Sequence, residues 1–223
     1  MYEFYLLDID NTLLNFDAAE IRSFRKLLES YHISYEEELF RHYKKINKNF
    51  WNLLEQGKVD KETVLIGRFK ELFAYLGLEA DPSEAEKRFQ NHLSDSDDKM
   101  PHAEETLLQL KSEGKKIYSA SNGVYNTQIK RLKAAGLFQY FEGMFVSEKI
   151  GYEKPDKSFF DHCFKKIKDF DKSKTIMVGD SLTSDIQGAC NSGIDSCLYT
   201  PKGSSTSSKA THTINDLREL LSL

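Results

Sequence analysis

A short apolar and aromatic run, Glu3-Phe4-Tyr5-Leu6-Leu7, stops abruptly at Asp8-Ile9-Asp10. A segment of that length that is apolar at successive rather than alternate positions reads as a strand covered on both faces, as in the interior of a parallel sheet. Asp8 then stands at the carboxyl end of the strand, where open α/β sheets hold their ligands. Beyond Pro101 the same grammar repeats. Helical patterns near Ala103–Ser112, Tyr125–Ala135, Asp156–Lys168 and Ser184–Asn191 alternate with apolar runs at Lys116–Ala120, Gly143–Ser147, Lys174–Val178 and Asp195–Tyr199. Gly136 stops the second of those helices. This alternation predicts an α/β fold, a Rossmann-like doubly wound parallel sheet with helices on both faces.

Between the first strand and residue 100 the pattern is helical throughout. Apolar residues recur at helical spacing over Ala18–Ser30, Tyr35–Gln56, Lys61–Leu76 and Ser83–Leu93, and no segment there reads as a strand. Asp60 and Ser83 are placed as N-caps. The expected organisation is therefore a core of residues 1–14 and 100–223 interrupted by an all-helical insert at 15–99. A chain of 223 residues suits one core domain carrying a smaller unit. Near the end, Thr200–Ser208 is rich in Ser, Gly and Lys and reads as a surface loop, after which Asn215 opens a short closing helix.

Charge and cysteine content exclude several partners. The chain carries 31 basic and 35 acidic residues, a formal net charge of -4, with no long basic block that would attract a nucleic-acid polymer. The cysteines Cys163, Cys190 and Cys197 are odd in number and lack metal-ligand spacing, so they read as buried thiols of a reducing compartment. No stretch approaches the roughly 20 apolar residues of a membrane span, and the N-terminus lacks the basic start of a signal peptide. The expectation is a cytoplasmic protein with no membrane partner, monomeric or homodimeric.

The strand ends carry the chemistry: Asp8-Ile9-Asp10-Asn11-Thr12, Ser121-Asn122-Gly123, Lys154-Pro155, and Gly179-Asp180-Ser181 leading to Asp185. Several carboxylates converging with one lysine and one hydroxyl suit a hard divalent cation together with a phosphate. Magnesium takes oxygen ligands and is commonly held by one or two carboxylates plus phosphate oxygens. Asp8 and Asp180 are the expected direct ligands. With its repulsion from a phosphate offset by a metal, Asp8 is also placed to attack phosphorus as a nucleophile. Asp10, two residues on, is placed to protonate the departing oxygen and later to take a proton from water. Lys154 and Ser121 would neutralise and orient the phosphoryl oxygens.

These four motifs, in this order and each at a strand end, resemble those of the haloacid dehalogenase-like hydrolase superfamily. The resemblance spans nearly the whole chain. It implies a parallel-stranded core with a helical cap at the insert, Mg2+ as cofactor and an aspartyl-phosphate intermediate on Asp8. It further implies that the Asp10 backbone carbonyl and Asp185 support the metal site. Members that dehalogenate lack an acid at the position of Asp10, so Asp10 looks like the mark of a phosphatase. Asn11 stands where many relatives carry glycine. Within the superfamily, Ile46-Asn47-Lys48-Asn49-Phe50-Trp51 and Gly67-Arg68-Phe69 resemble the cap of small nucleotidases acting on nucleoside monophosphates.

Rival assignments stand beside these. Ser119 points to the same side of its strand as Ser121, although Ser121 lies at the strand's end. Phe50 and Trp51 are either helix-packing residues or a stacking surface for a base. Arg68 is either one half of an ion pair or a substrate contact. Asn122 joins Ser121 and Lys154 among the expected substrate-binding residues, and the histidines are given no chemistry. The expected partner is a small phosphorylated metabolite, first a nucleoside 5'-monophosphate. The alternatives are a sugar phosphate or phosphoglycolate, a phosphomutase on the same core, or a regulatory protein that binds phosphate without turnover.

Overall fold

The structure, a computed structural model, describes residues 1–201, 203 and 208–223. Along the chain run β1 (Phe4–Leu7), α1 (Phe16–Ser30), α2 (Glu37–Glu55), α3 (Lys61–Leu76), α4 (Pro82–Ser94) and α5 (Ala103–Ser112). There follow β2 (Lys116–Ser121), α6 (Tyr125–Ala134), β3 (Gly143–Val146), α7 (Ser147–Ile150) and α8 (Lys157–Lys166). The last elements are β4 (Thr175–Gly179), α9 (Gln187–Ser192), β5 (Asp195–Tyr199) and β6 (His212–Ile214). Contacts divide the chain into two compact units, residues 1–16 with 97–223 and residues 17–96.

Among the described residues the first unit is built on a six-stranded sheet in the order β3-β2-β1-β4-β5-β6. Every pairing is parallel. β1 lies at the centre, where the winding changes direction, with Leu7 level with Ser119 on one side and Val178 on the other. Alternation along each strand divides the core between two faces. Tyr5, Leu7, Ile176 and Val178 pack with Leu107, Leu110, Leu132 and Leu217 on one face. Phe4, Leu6 and Met177 pack with Phe159, Phe160 and Cys163 on the other. The fold class is the expected Rossmann-like α/β sheet. It includes a strand that the apolar pattern does not show, since β6 spans only three residues and has too little apolar run to read as a strand.

Other local expectations are corrected. Cys190 is exposed, whereas Cys163 and Cys197 are buried thiols as expected. The helix expected from Ser184 instead begins as a π-helical turn, Leu182–Ile186, before α9. Asp216 rather than Asn215 caps the closing turns, Leu217–Ser222. The surface loop expected at Thr200–Ser208 falls largely on residues 202 and 204–207, which lie outside the described residues. No helix among the described residues is long and apolar enough to cross a membrane.

The second unit is four helices. Asp60 caps α3 as expected, accepting from the Thr63 backbone N–H at 2.8 Å. The N-cap of α4 is Asp81 rather than Ser83. Pro82 follows it at the first helical position, where its fixed φ suits the helix and its missing N–H costs nothing. On α2 the buried residues Leu39, Phe40, Tyr43, Ile46 and Asn47 recur at three- and four-residue spacing, giving one continuous inner face. Tyr43 stacks on Phe24 at 4.5 Å between centroids, and Phe69 lies 5.5 Å from Phe89. α3 crosses α2 closely because residue 67 is glycine, where a Cβ would meet the Phe50 ring at 2.7 Å.

Candidate active site

At the carboxyl end of β1 the Asp8 backbone N–H donates to the Val178 carbonyl at 2.9 Å, which fixes Asp8 beside the end of β4. The chain then turns sharply. Leu13 and Leu14 both donate to the Ile9 carbonyl, at 3.0 and 2.9 Å, and Asn11 takes a φ of 57°. That left-handed conformation suits glycine, and among side-chain-bearing residues asparagine is one that tolerates it, which accounts for Asn11 here. The Thr12 hydroxyl reaches back to Asp8 Oδ2 at 3.5 Å.

Lys154 is 1% exposed and donates through Nζ to Asp8 Oδ1 at 2.8 Å, to Asp185 Oδ1 at 2.6 Å and to the Ala120 carbonyl. Burial opposes its charge, but the carboxylates of Asp185 and Asp8 outweigh that and hold the ammonium well above the ordinary lysine value. Asn122 sets the height of Lys154: its Nδ2 donates to the Lys154 carbonyl at 2.9 Å and its Oδ1 accepts from the Lys154 N–H at 2.8 Å. The Asn122 amide, expected to touch substrate, is thus engaged with the backbone that carries the lysine.

Asp185 is fully buried, and its Oδ2 accepts from the Ser181 N–H at 3.1 Å. It reaches the cluster because residue 179 has no side chain, since a Cβ there would lie 2.0 Å from Asp185 Oδ2. One carboxylate oxygen from each of Asp8, Asp180 and Asp185 lies within 4.8 Å of the other two. Burial raises Asp8 well above the usual carboxylate range against the pull of Lys154, and Asp185, Asp180 and Asp10 push it further. Asp180 has an exposed residue surface, yet its carboxyl is hemmed by protein and pushed up to about 7, first by lost hydration and then by Asp185. A single buried ammonium does not balance this set. An all-oxygen donor group with surplus negative charge fits a hard divalent cation.

Ser121, the last residue of β2, is buried, and its Oγ accepts from the Gly123 N–H at 3.1 Å and from Gln128 Nε2 at 3.0 Å. Both bonds use the oxygen as acceptor, so the hydroxyl proton is available to donate. Ser119 is spent within the sheet, accepting from the Phe145 N–H at 3.1 Å. The Asp10 carboxylate turns toward α6, where Gln128 Nε2 donates to its Oδ2 at 2.7 Å and Arg131 Nη1 to its Oδ1. Sequence reasoning missed Gln128 and Arg131. A signal was present, because α6 buries Thr127, Gln128 and Arg131 beside a single buried leucine, Leu132. A core-facing helix so poor in apolar residues must satisfy polar groups inside the fold.

The remaining two sequence candidates lie in the helical unit. Trp51 is half-buried on α2. Arg68 is 2% exposed and donates to Glu86 Oε2 at 2.6 Å and to Asn47 Oδ1 at 2.9 Å. Its guanidinium lies 4.9 Å from the ring centroids of both Phe69 and Phe89. Within that unit Arg68 is engaged by Glu86, Asn47 and both rings, as an internal ion pair would be.

A family model described as haloacid dehalogenase-like hydrolase matches residues 2–193. The HAD-hydrolase YfnB of Bacillus subtilis is 36% identical over 90% of this chain and 85% of its own. The pyrimidine 5'-nucleotidase PynA of Streptococcus pneumoniae is 36% identical over 99% of this chain and 94% of its own. The pyrimidine 5'-nucleotidase YjjG of Escherichia coli is 29% identical over 88% and 85%. A crystal structure of YfnB bound to magnesium superimposes with a TM-score of 0.92 at 34% identity, covering 99% of this chain and 97% of that one.

Proposed function

The chain belongs to the haloacid dehalogenase-like hydrolases and is a phosphatase; on that premise we propose that it hydrolyses nucleoside 5'-monophosphates through a phosphoryl group carried on Asp8, with Mg2+ as cofactor. One observation carries the reading: the Lys154 ammonium holds Asp8 and Asp185 together at 2.8 and 2.6 Å, beside Asp180 and at the strand ends. The choice of nucleotide is supported by PynA and YjjG, both pyrimidine 5'-nucleotidases, and the choice of magnesium by the magnesium-bound YfnB structure.

Asp8, Asp180 and Asp185, with the Asp10 carbonyl, would hold the ion. Bound there, it would neutralise phosphate charge so that an anionic carboxylate can approach an anionic ester. The chain's own groups then do the following. Lys154 and Ser121 bind and orient the non-bridging phosphoryl oxygens. An Asp8 oxygen forms a bond to phosphorus as the ester P–O bond breaks, and Asp10 gives its proton to the departing oxygen. A water oxygen next bonds to phosphorus, the Asp8 O–P bond breaks, and Asp10 takes the water's proton, so the enzyme ends as it began.

The test is phosphate release from a panel of nucleoside monophosphates, sugar phosphates and phosphoglycolate, with magnesium and with EDTA. The reading expects release that requires magnesium and is led by nucleotides. Release led by another ester removes the nucleotide assignment, and release undiminished by EDTA removes the metal.

A further inference from the structure

Arg131 is 1% exposed, a depth at which a guanidinium is retained only beside an anion. Its anion is Asp10 in the deprotonated form left once its proton has been given up, and the Asp10 side chain keeps 30% of its surface exposed. One helical turn earlier, Gln128 ties the group together. Its Nε2 donates to Asp10 Oδ2 at 2.7 Å and to Ser121 Oγ at 3.0 Å, and its Oε1 accepts from Arg131 Nη1 at 2.9 Å. Residue 123 leaves room for this amide only because it is glycine, since a Cβ there would lie 2.6 Å from Gln128 Nε2. Asp10, Ser121, Gln128 and Arg131 therefore form one connected polar group anchored on α6.

Packing alone gives no reason for this arrangement, because an aliphatic residue at 131 would fill the inner face of α6 without needing a partner. Proton transfer does give one. Asp10 sits on the tight turn after β1, and a carboxylate there has side-chain torsions to restrain before it can meet a leaving oxygen at a fixed point. We infer that Arg131 and Gln128 are positioning residues for Asp10: together they hold both of its carboxylate oxygens and, through Ser121, tie it to the hydroxyl that orients the phosphoryl group. This rests on the reading of Asp10 as proton donor and acceptor given above.

The test compares kcat/KM for two esters, the best alkyl phosphate of the panel and p-nitrophenyl phosphate, in R131M, R131K, Q128M and D10N. The parameter kcat/KM covers the steps up to departure of the leaving group, and p-nitrophenolate departs without a proton whereas an alkoxide does not. R131M should lower kcat/KM for the alkyl ester by about 10- to 100-fold and change the aryl ester by less than about threefold, and Q128M, which also releases Ser121, should lose more on the alkyl ester than on the aryl one. R131K should recover part of the loss. Equal losses on both esters, or no loss on either, overturn the inference. If D10N shows the selective loss and R131M and Q128M do not, only the positioning role fails. If D10N itself shows no selectivity, the role of Asp10 fails and this inference with it. Should R131M not fold, Q128M gives the decision.

Discussion

Lys154 Nζ lies 2.6 Å from Asp185 Oδ1, and both side chains are 1% exposed. A pair so deeply placed is held by charge on both sides, and deleting one member leaves the other desolvated and unpaired. Here the deletion is worse than usual, because the same ammonium also neutralises Asp8.

Lys154→Met should therefore lose stability as well as turnover. Urea unfolding without metal is expected to show a loss of about 3 kcal/mol. Turnover is expected to fall by about 100-fold or more as the phosphoryl oxygens lose their cation. A variant with unchanged unfolding midpoint would mean that Asp8 and Asp185 do not depend on Lys154.

Asp8→Asn is expected to separate the two effects. Burial and three neighbouring carboxylates disfavour the charge on Asp8, so a neutral amide there relieves a strain the site keeps for function. The metal-free variant should melt no lower than the wild type while turnover disappears. Added magnesium should raise the wild-type midpoint and leave that of Asp8→Asn nearly unmoved.

Arg68→Met tests the interior of the helical unit. It strands Glu86 and Asn47, and a loss of about 3 kcal/mol is expected in urea unfolding. If the midpoint is unaffected while KM alone rises, Arg68 is a substrate contact and its ion pair with Glu86 is incidental.

The closing turns carry a pH dependence of their own. Asp216 accepts from the Arg218 side chain at 2.7 Å and from its backbone N–H at 2.9 Å, and these bonds, the side chain's first, hold its carboxyl far below the usual range. A depressed folded-state pKa adds stability that is fully present above the unfolded value of about 4 and is lost as pH falls below it. Asp216→Ala should cost about 1 kcal/mol at pH 7 as a lost cap. It should also flatten the wild-type decline in stability between about pH 5 and pH 2. Parallel pH profiles for the two proteins would contradict this.

How much of this was legible in the sequence depended on the range of the signal. Phe4 to Leu7 and Thr175 to Gly179 are buried at every position, so continuous apolar runs marked them as inner strands, and the acids that follow stood at the right end. β6 did not announce itself, because its three residues His212, Thr213 and Ile214 bury only the last fully. The ring around Asp10 showed only in the polar make-up of α6, and its pairing was illegible for a different reason. Arg131 lies 121 positions away, and a surface arginine and a buried one are spelt alike until the fold supplies the partner. Cys190 and the cap at Asp81 were misread where two neighbouring residues offered the same chemistry or the same helix presented two faces.

The most direct measurement is to mix enzyme, magnesium and the best ester of the panel, quench in acid within a turnover, and map the phosphoryl group by peptide mass spectrometry. The account predicts a phosphorylated peptide containing Asp8, with the label on Asp8 itself and absent from Asp8→Asn. A label on another residue, or turnover retained by Asp8→Asn with no label at all, would contradict it.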